Sequence, residues 1–400
     1  MPFSTIIGQK NTKEQLTQLV QQNRLSHALL FLGKEGSGAL PLAIAFAQYV
    51  NCEKVNGKKP TTAEPSLFGQ PEPPTTNHQP PPSNDSCGTC PSCIKAQQLI
   101  HPDIHFSYPV IPAKPGDKPL STEYINEWRE FIKTNPYGNS YDWLQFINAE
   151  NKQGNITAYE CNDIIRKLSL KSFENGYKIL IMWMPEALGK EGNKLLKLIE
   201  EPPAKTLFIL VAENEDLILP TILSRLQLVK IPALSKLDVE AALAVKQGIA
   251  IEKAQQVAAV SDGNYREALQ QLQHAEEDWN ILLREWLNHI VKRNLPAQVK
   301  WVEDIAKIGR EKQKQFLKYF TQLIEDAVYL RTTNHQSPTT NDFPQRLNKL
   351  TSLEQQQAIA EQLDEASYHI ERNANAKILF HALTIRLHHI INNNSLILMN

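Results

Sequence analysis

Short unbroken apolar runs punctuate the first half of the chain, whereas apolar residues at three- and four-residue spacing dominate the second. ALLFL (28–32), KILIMWM (178–184) and TLFILVA (206–212) stand out as apolar runs. Runs of that length without alternation predict strands buried on both faces, as in a parallel sheet. LPLAIAFAQYV (40–50) reads as a helix after the first strand. GNKLLKLIEE (192–201) reads as a helix between the second and third, stopped by Pro202 and Pro203, which cannot continue it. Strand, helix, strand in that order implies right-handed crossovers and an α/β region ending near residue 233. After IPAL (231–234) the strands stop. VEAALAV, IEKAQQVAAV, YREALQQLQ, WNILLREWLNHIV, FLKYFTQLIEDAVYL, LEQQQAIAEQL and AKILFHALTIRLHHII all carry helical periodicity, with breaks at SDGN (261–264) and NHQSPTTND (334–342). The chain shows no internal repeat.

One segment belongs to neither pattern. From about residue 57 to 86 the chain is rich in Pro, Thr, Asn and Gln. Such a stretch inside a domain predicts a flexible excursion of extended proline character.

Composition narrows the class. Four hundred residues, 42% hydrophobic and 21% charged, suffice for two or three soluble domains. A formal net charge of −1 argues against a dedicated nucleic-acid binder, though not against a subunit whose partners hold the DNA. The N-terminal residues lack the pattern of a secretion signal, and no run of about 18 apolar residues predicts a membrane span. Five cysteines in such a chain suggest a reducing compartment, and their clustering points to metal rather than disulfides.

FLGKEGSGALPLAIAFA (31–47) has the outline of a phosphate-binding loop between a strand and a helix. Gly33, Gly36 and Gly38 fit the loop, but Ala39 and Leu40 stand where G-x-x-x-x-G-K-[ST] needs the lysine that reaches the phosphates and the hydroxyl that holds magnesium. Lys34 lies five positions too early. At the end of the second apolar run, Trp183 and Met184 occupy the places of the paired carboxylates of an ATPase, and Glu186 is displaced by two residues. No ATP is therefore expected to bind this chain. The plainer alternative is a glycine turn that never held a nucleotide.

Cys87, Cys90 and Cys93 form C-x2-C-x2-C, and Cys52 closes the helix after the loop. Four thiolates suit a closed tetrahedral zinc site of structural type. An iron–sulfur cluster is the rival, unliganded thiols are the third possibility, and His78 is a substitute ligand. Cys161 falls on an apolar-periodic helix and is expected in the core.

Several stretches resemble the delta-prime subunits of the bacterial DNA polymerase III clamp loader, within the AAA+ superfamily. They are SHALLFLGKEGSG (26–38), the cysteine module leading to HPDIH (101–105), NKLLKLIEEPPAKTLFIL (193–210), LPTILSRLQ (219–227) and GNYREAL (263–269). The likeness is dense over about residues 1–275 and thin beyond. It implies an AAA+ nucleotide-fold domain over 1–233 with a zinc module, a small helical lid over 234–277, and an all-α collar domain over 278–400. It implies a cytoplasmic subunit, with no membrane, in a five-membered ring that loads a sliding clamp onto primer-template DNA. The implied neighbours are the tau/gamma ATPase and the delta subunit.

The resemblance further implies that this subunit is no enzyme by itself and lends an arginine to a neighbour's ATP within the polymerase holoenzyme. The family's Ser-Arg-Cys motif falls on Ser224, Arg225 and Leu226, so the cysteine is lost and the arginine kept. An always-charged planar guanidinium suits that task; the alternative for Arg225 is an ordinary surface ion pair. Arg266 sits where related ATPases sense phosphate, and a structural ion pair is expected of it here. His27 and His101 are expected to be structural. An active AAA+ ATPase of the same loader is the alternative function, and a cluster-bearing redox or sensor protein is a third.

Overall fold

The structure, a computed structural model, describes residues 1–55, 84–112, 114, 116–149, 152–174, 176–273, 279–333, 343–372 and 374–393. Most of the Pro-rich segment, with His78, and the break at 334–342 lie outside the described residues. The chain divides into two compact units, Met1–His274 and Ala275–Asn400.

The first unit is built on five strands: β1 (Ala28–Gly33), β2 (Ile104–Ser107), β3 (Lys178–Trp183), β4 (Thr206–Ala212) and β5 (Gln227–Ile231). They form one all-parallel sheet in the order β2-β3-β4-β1-β5. The three apolar runs are β1, β3 and β4, and every residue of β3 and β4 is buried. Alternate side chains feed two separate cores. Leu29, Phe31, Ile179, Ile181 and Ile209 pack with helix Ala39–Asn51 on one face. Leu30, Leu180, Met182, Phe208 and Leu210 meet helix Ala158–Ser169 on the other, where Cys161 is fully buried as expected.

The pattern misses β2 and β5. The first is only four residues long and includes His105, and the second turns only Val229 and Ile231 inward. The segment read as a helix over 192–201 begins as a 3-10 stretch, Pro185–Leu195, and becomes an α-helix only at Leu196–Glu200. Gly192 explains the close packing there: a Cβ at this position would stand 2.8 Å from Ile222 Cδ1 and 3.4 Å from Leu219 Cδ1. The short helix Pro220–Leu223 is thus seated directly on the 3-10 segment.

Helices Lys236–Gln247, Ile251–Val260 and Tyr265–Gln273 complete this unit. Their core of Val239, Leu243, Ala254, Ala258 and Ala268 also takes in Ile7 and Tyr137 from earlier in the chain. The second unit is wholly helical among the described residues: Trp279–Val291, Leu295–Ile305, Arg310–Thr333, Phe343–Leu350, Leu353–Glu371 and Ala376–Asn393. Its center is aromatic, with Trp286 and Trp301 stacked at 4.6 Å and Trp286 Nε1 donating to Thr384 Oγ1 at 3.0 Å. Among the described residues no helix is long and apolar enough to cross a membrane.

Candidate functional site

The loop between β1 and helix Ala39–Asn51, read from the sequence as an altered phosphate loop, bends at two glycines. Gly36 and Gly38 both take positive φ, +71° and +86°, a region that disfavours side chains. What lines the loop is protein. A Cβ on Gly36 would overlap the Asn264 side chain, and one on Gly38 would lie 2.8 Å from Tyr137 Cε1. Tyr265 N donates to Gly36 O at 3.3 Å, and the Tyr265 ring meets Tyr137 edge-on at 5.0 Å. The cavity left beside Gly33, Lys34, Gly36, Ala39, Tyr137 and Trp183 measures about 20 Å³, close to the size of one water molecule.

The residues in place of the usual nucleotide ligands have other tasks. Leu40 is buried in the core, and Ala39 is buried beside it. Trp183 packs against Trp128 at 5.3 Å and Phe131 at 6.1 Å. Glu186 Oε1 accepts from the backbone N–H groups of Glu213 at 2.7 Å and Asn214 at 2.9 Å. Burial pushes its carboxyl above the usual carboxylate range. Glu186 therefore ties the end of β3 to the end of β4.

Arg266 is 4% exposed and closes the loop electrostatically. Its Nη1 donates to Glu35 Oε1 at 2.7 Å, and its Nε and Nη2 grip Asp142 at 2.6 and 2.7 Å. Asn139 Nδ2 adds a bond to Glu35 Oε2 at 2.9 Å. The structural ion pair expected of Arg266 is present, with two carboxylates rather than one. Removing one member of a buried pair strands the others, which costs about 3–5 kcal/mol. Glu35 is partly solvated, so Arg266→Ala is expected to lose about 3 kcal/mol in urea unfolding, at the lower end of that range. A loss below about 1 kcal/mol would mean that solvent already satisfies both acids.

The four cysteines converge at the far end of the same helix. The sulfurs of Cys52, Cys87, Cys90 and Cys93 all lie within 4.8 Å of one another, and Cys87 and Cys93 are 3.9 Å apart. Four sulfurs about 2.3 Å from one tetrahedral ion would be separated by about 3.8 Å. So close a set leaves room for a single ion rather than a cage of several iron and sulfide atoms. Backbone N–H groups point at the sulfurs, from Cys87 to Cys52 at 3.4 Å, Cys90 to Cys87 at 3.3 Å and Cys93 to Cys90 at 3.4 Å, which favours thiolates. A hydrogen bond with Cys93 drives the Cys52 thiol down, while Cys52 and burial drive Cys93 up. The donor set fits a metal ion.

His101 is buried beside this module and works as a strut. Its Nδ1 accepts from Asp103 N at 3.1 Å, which leaves Nε2 to carry the proton toward Ser92 Oγ at 2.9 Å and Glu174 at 3.1 Å. Ser92 Oγ in turn donates to Asn51 O at 2.8 Å. His27 is exposed and contributes its backbone carbonyl to Phe208.

Arg225 lies just past helix Pro220–Leu223, which has its proline at the first position. Its Nε and Nη2 reach Glu200 Oε1 at 2.6 and 2.5 Å. Its Nη1 donates to Thr221 O at 2.6 Å and to Ser224 Oγ at 3.0 Å. The guanidinium is at the surface, 35% exposed. Sequence reasoning singles out the loop, the cysteines and Arg225; the structure brings the four cysteines together and shows Arg225 in the surface ion pair named as its alternative. The same reasoning misses Tyr137, Asn139 and Asp142, which close the loop from a hundred residues away. Glu35 is the one legible hint, a carboxylate in the loop that needs a cationic partner and finds Arg266.

Comparison with known proteins places the chain. The family model described as DNA polymerase III, delta subunit, matches residues 8–66 and 75–235. The DNA polymerase III subunit delta' of Bacillus subtilis (strain 168) is 26% identical over 208 residues, 52% of this chain and 43% of that protein. Its counterpart in Escherichia coli (strain K12) is 25% identical over 218 residues, 54% of this chain and 45% of that one. This chain thus spans a little under half the length of these curated relatives. Among solved structures, a DNA polymerase III gamma subunit-related protein of Thermotoga maritima is 16% identical with a TM-score of 0.40, covering 95% of this chain and 99% of its own. Since the family model covers more than half of its residues, the chain belongs to the DNA polymerase III delta-subunit family.

Proposed function

We propose that this chain is a delta-prime-type subunit of a bacterial DNA polymerase III clamp loader. It turns over no ATP itself and lends Arg225 to the triphosphate held by a neighbouring ATPase subunit. Residues 1–233 act as the nucleotide fold, 234–277 as its lid and 278–400 as a collar that joins the ring. The tau/gamma-type ATPase and the delta subunit are its neighbours, and the sliding clamp and primed DNA are handled by the assembled loader. Cys52, Cys87, Cys90 and Cys93 hold a structural zinc ion that ties residues 84–97 to the end of helix Ala39–Asn51.

The observation that carries this reading is the filled loop. Asn264 and Tyr137 press against Gly36 and Gly38, Arg266 pins the loop's Glu35 and holds Asp142, and the space beside the loop is about 20 Å³. A closed four-thiolate site has no open position for a reactant, which supports a structural rather than a chemical use of the metal.

Equilibrium titration with a fluorescent ATP analogue and magnesium tests the first half. The isolated chain should show no saturable binding up to millimolar nucleotide, while the tau/gamma-type ATPase from the same organism binds in the same assay. Magnesium-dependent binding by this chain alone would favour the active-ATPase reading instead.

A further inference from the structure

Arg225 is more firmly held than a surface arginine needs to be. A guanidinium carries five N–H donors. Nε donates to Glu200 Oε1, Nη2 stands 2.5 Å from the same oxygen, and Nη1 donates to Thr221 O and Ser224 Oγ. Three of the five donors make hydrogen bonds, and together with the ion pair they set the plane of the group. The support beneath is rigid as well, because Ile222 is buried and its helix rests on Gly192. Stability does not explain the arrangement. Exposed ion pairs contribute little, and an acid in the last turn of helix Leu196–Glu200 has the wrong sign for the helix dipole.

We propose that Glu200 is a positioning residue for Arg225: it fixes the plane of the guanidinium and aims Nη2 at a phosphoryl group bound by the adjacent subunit. The inference rests on the trans-acting role given to Arg225 above. Glu200 does not touch the nucleotide. Its carboxylate holds the Nε side of the fork and Thr221 O and Ser224 Oγ hold Nη1, which leaves Nη2 to offer an N–H to a phosphoryl oxygen. Misplacing a charged group by about 1 Å costs about 10²-fold in rate, so losing the support should cost about 10–100-fold while losing the guanidinium costs more.

The test is a double-mutant cycle in the loader reconstituted from this subunit, its ATPase and delta partners, the clamp and primed DNA. ATP hydrolysis is followed in a single round, so that the site served by this chain is seen as its own phase. Glu200→Ala should slow that phase about 10–100-fold with unchanged nucleotide affinity, and Glu200→Gln, which keeps an acceptor oxygen, should recover much of the loss. In an Arg225→Ala background, Glu200→Ala should add nothing, because Glu200 acts only through the arginine. If Arg225→Ala slows the phase but Glu200→Ala does not, the positioning role is overturned while the trans-acting role stands. If the two losses add, Glu200 works by another route and the proposal fails. If Arg225→Ala itself changes nothing, the parent reading falls first.

Discussion

Arg225→Ala is expected to lower ATP hydrolysis at the neighbouring site it is proposed to serve by about 10³-fold or more, the loss typical of a trans-acting arginine. The reason is electrostatic. Charge spreads over the transferred phosphoryl oxygens in the transition state, and a permanently charged planar donor meets it without reorganising. Assembly of the ring should be nearly unaffected, because the side chain is one-third exposed and its ion pair with Glu200 adds little to folding. Arg225→Lys should not rescue the rate, since an ammonium lacks the planar fork that Glu200, Thr221 O and Ser224 Oγ hold in one orientation. The check is single-round hydrolysis with clamp and primed DNA, with subunit composition verified by size-exclusion chromatography. Normal rates from a correctly assembled variant ring would remove Arg225 from the reaction.

Cys93→Ser is expected to abolish the metal binding proposed for the four-cysteine cluster. Cys93 is fully buried in the cluster, and a neutral hydroxyl is a far poorer ligand than a thiolate. Structural zinc sites are linked to folding by about 10–16 kcal/mol in small domains. Here the module is packed against helix Ala39–Asn51, so part of that is replaced by contacts such as Ser92 to Asn51. A loss of at least about 3 kcal/mol, or about 6–12 °C in Tm, is expected, and a strong chelator should produce the same shift in the unaltered protein. Metal analysis should fall from one zinc per chain to none. Full zinc retention would show that the ligand set is wrong, and a coloured, iron-containing protein would show that the metal is.

Much of the sheet was readable because β1, β3 and β4 are covered on both faces, which forces unbroken apolar runs. Strand β5 buries only Val229 and Ile231, and β2 is four residues long; neither offers enough positions for a pattern to emerge. The cysteine cluster was readable because metal ligands must recur at short spacing, and because Cys52 ends a helix whose length the apolar run defines. Partnership was much harder to read. Asp142 meets Arg266 across 124 positions, and Glu200 meets Arg225 across 25. No local periodicity reports such pairings, since they depend on how the chain returns over the sheet. The switch from α-helix to 3-10 geometry before Leu196 was hidden for a related reason: it follows from the close approach at Gly192, not from helix propensity.

The plugged loop also constrains the chain's future. Writing lysine and threonine back at positions 39 and 40 would open a hole where Leu40 packs, and it would leave Trp183 wedged among Trp128 and Phe131 where a carboxylate is needed. Tyr137 and Asn264 would still stand against the glycines, and Glu35 would still engage Arg266. On the proposed reading, each of these changes would have to arrive with the others, so the packing around the loop would act as a ratchet that keeps such a subunit reliant on a neighbour's nucleotide.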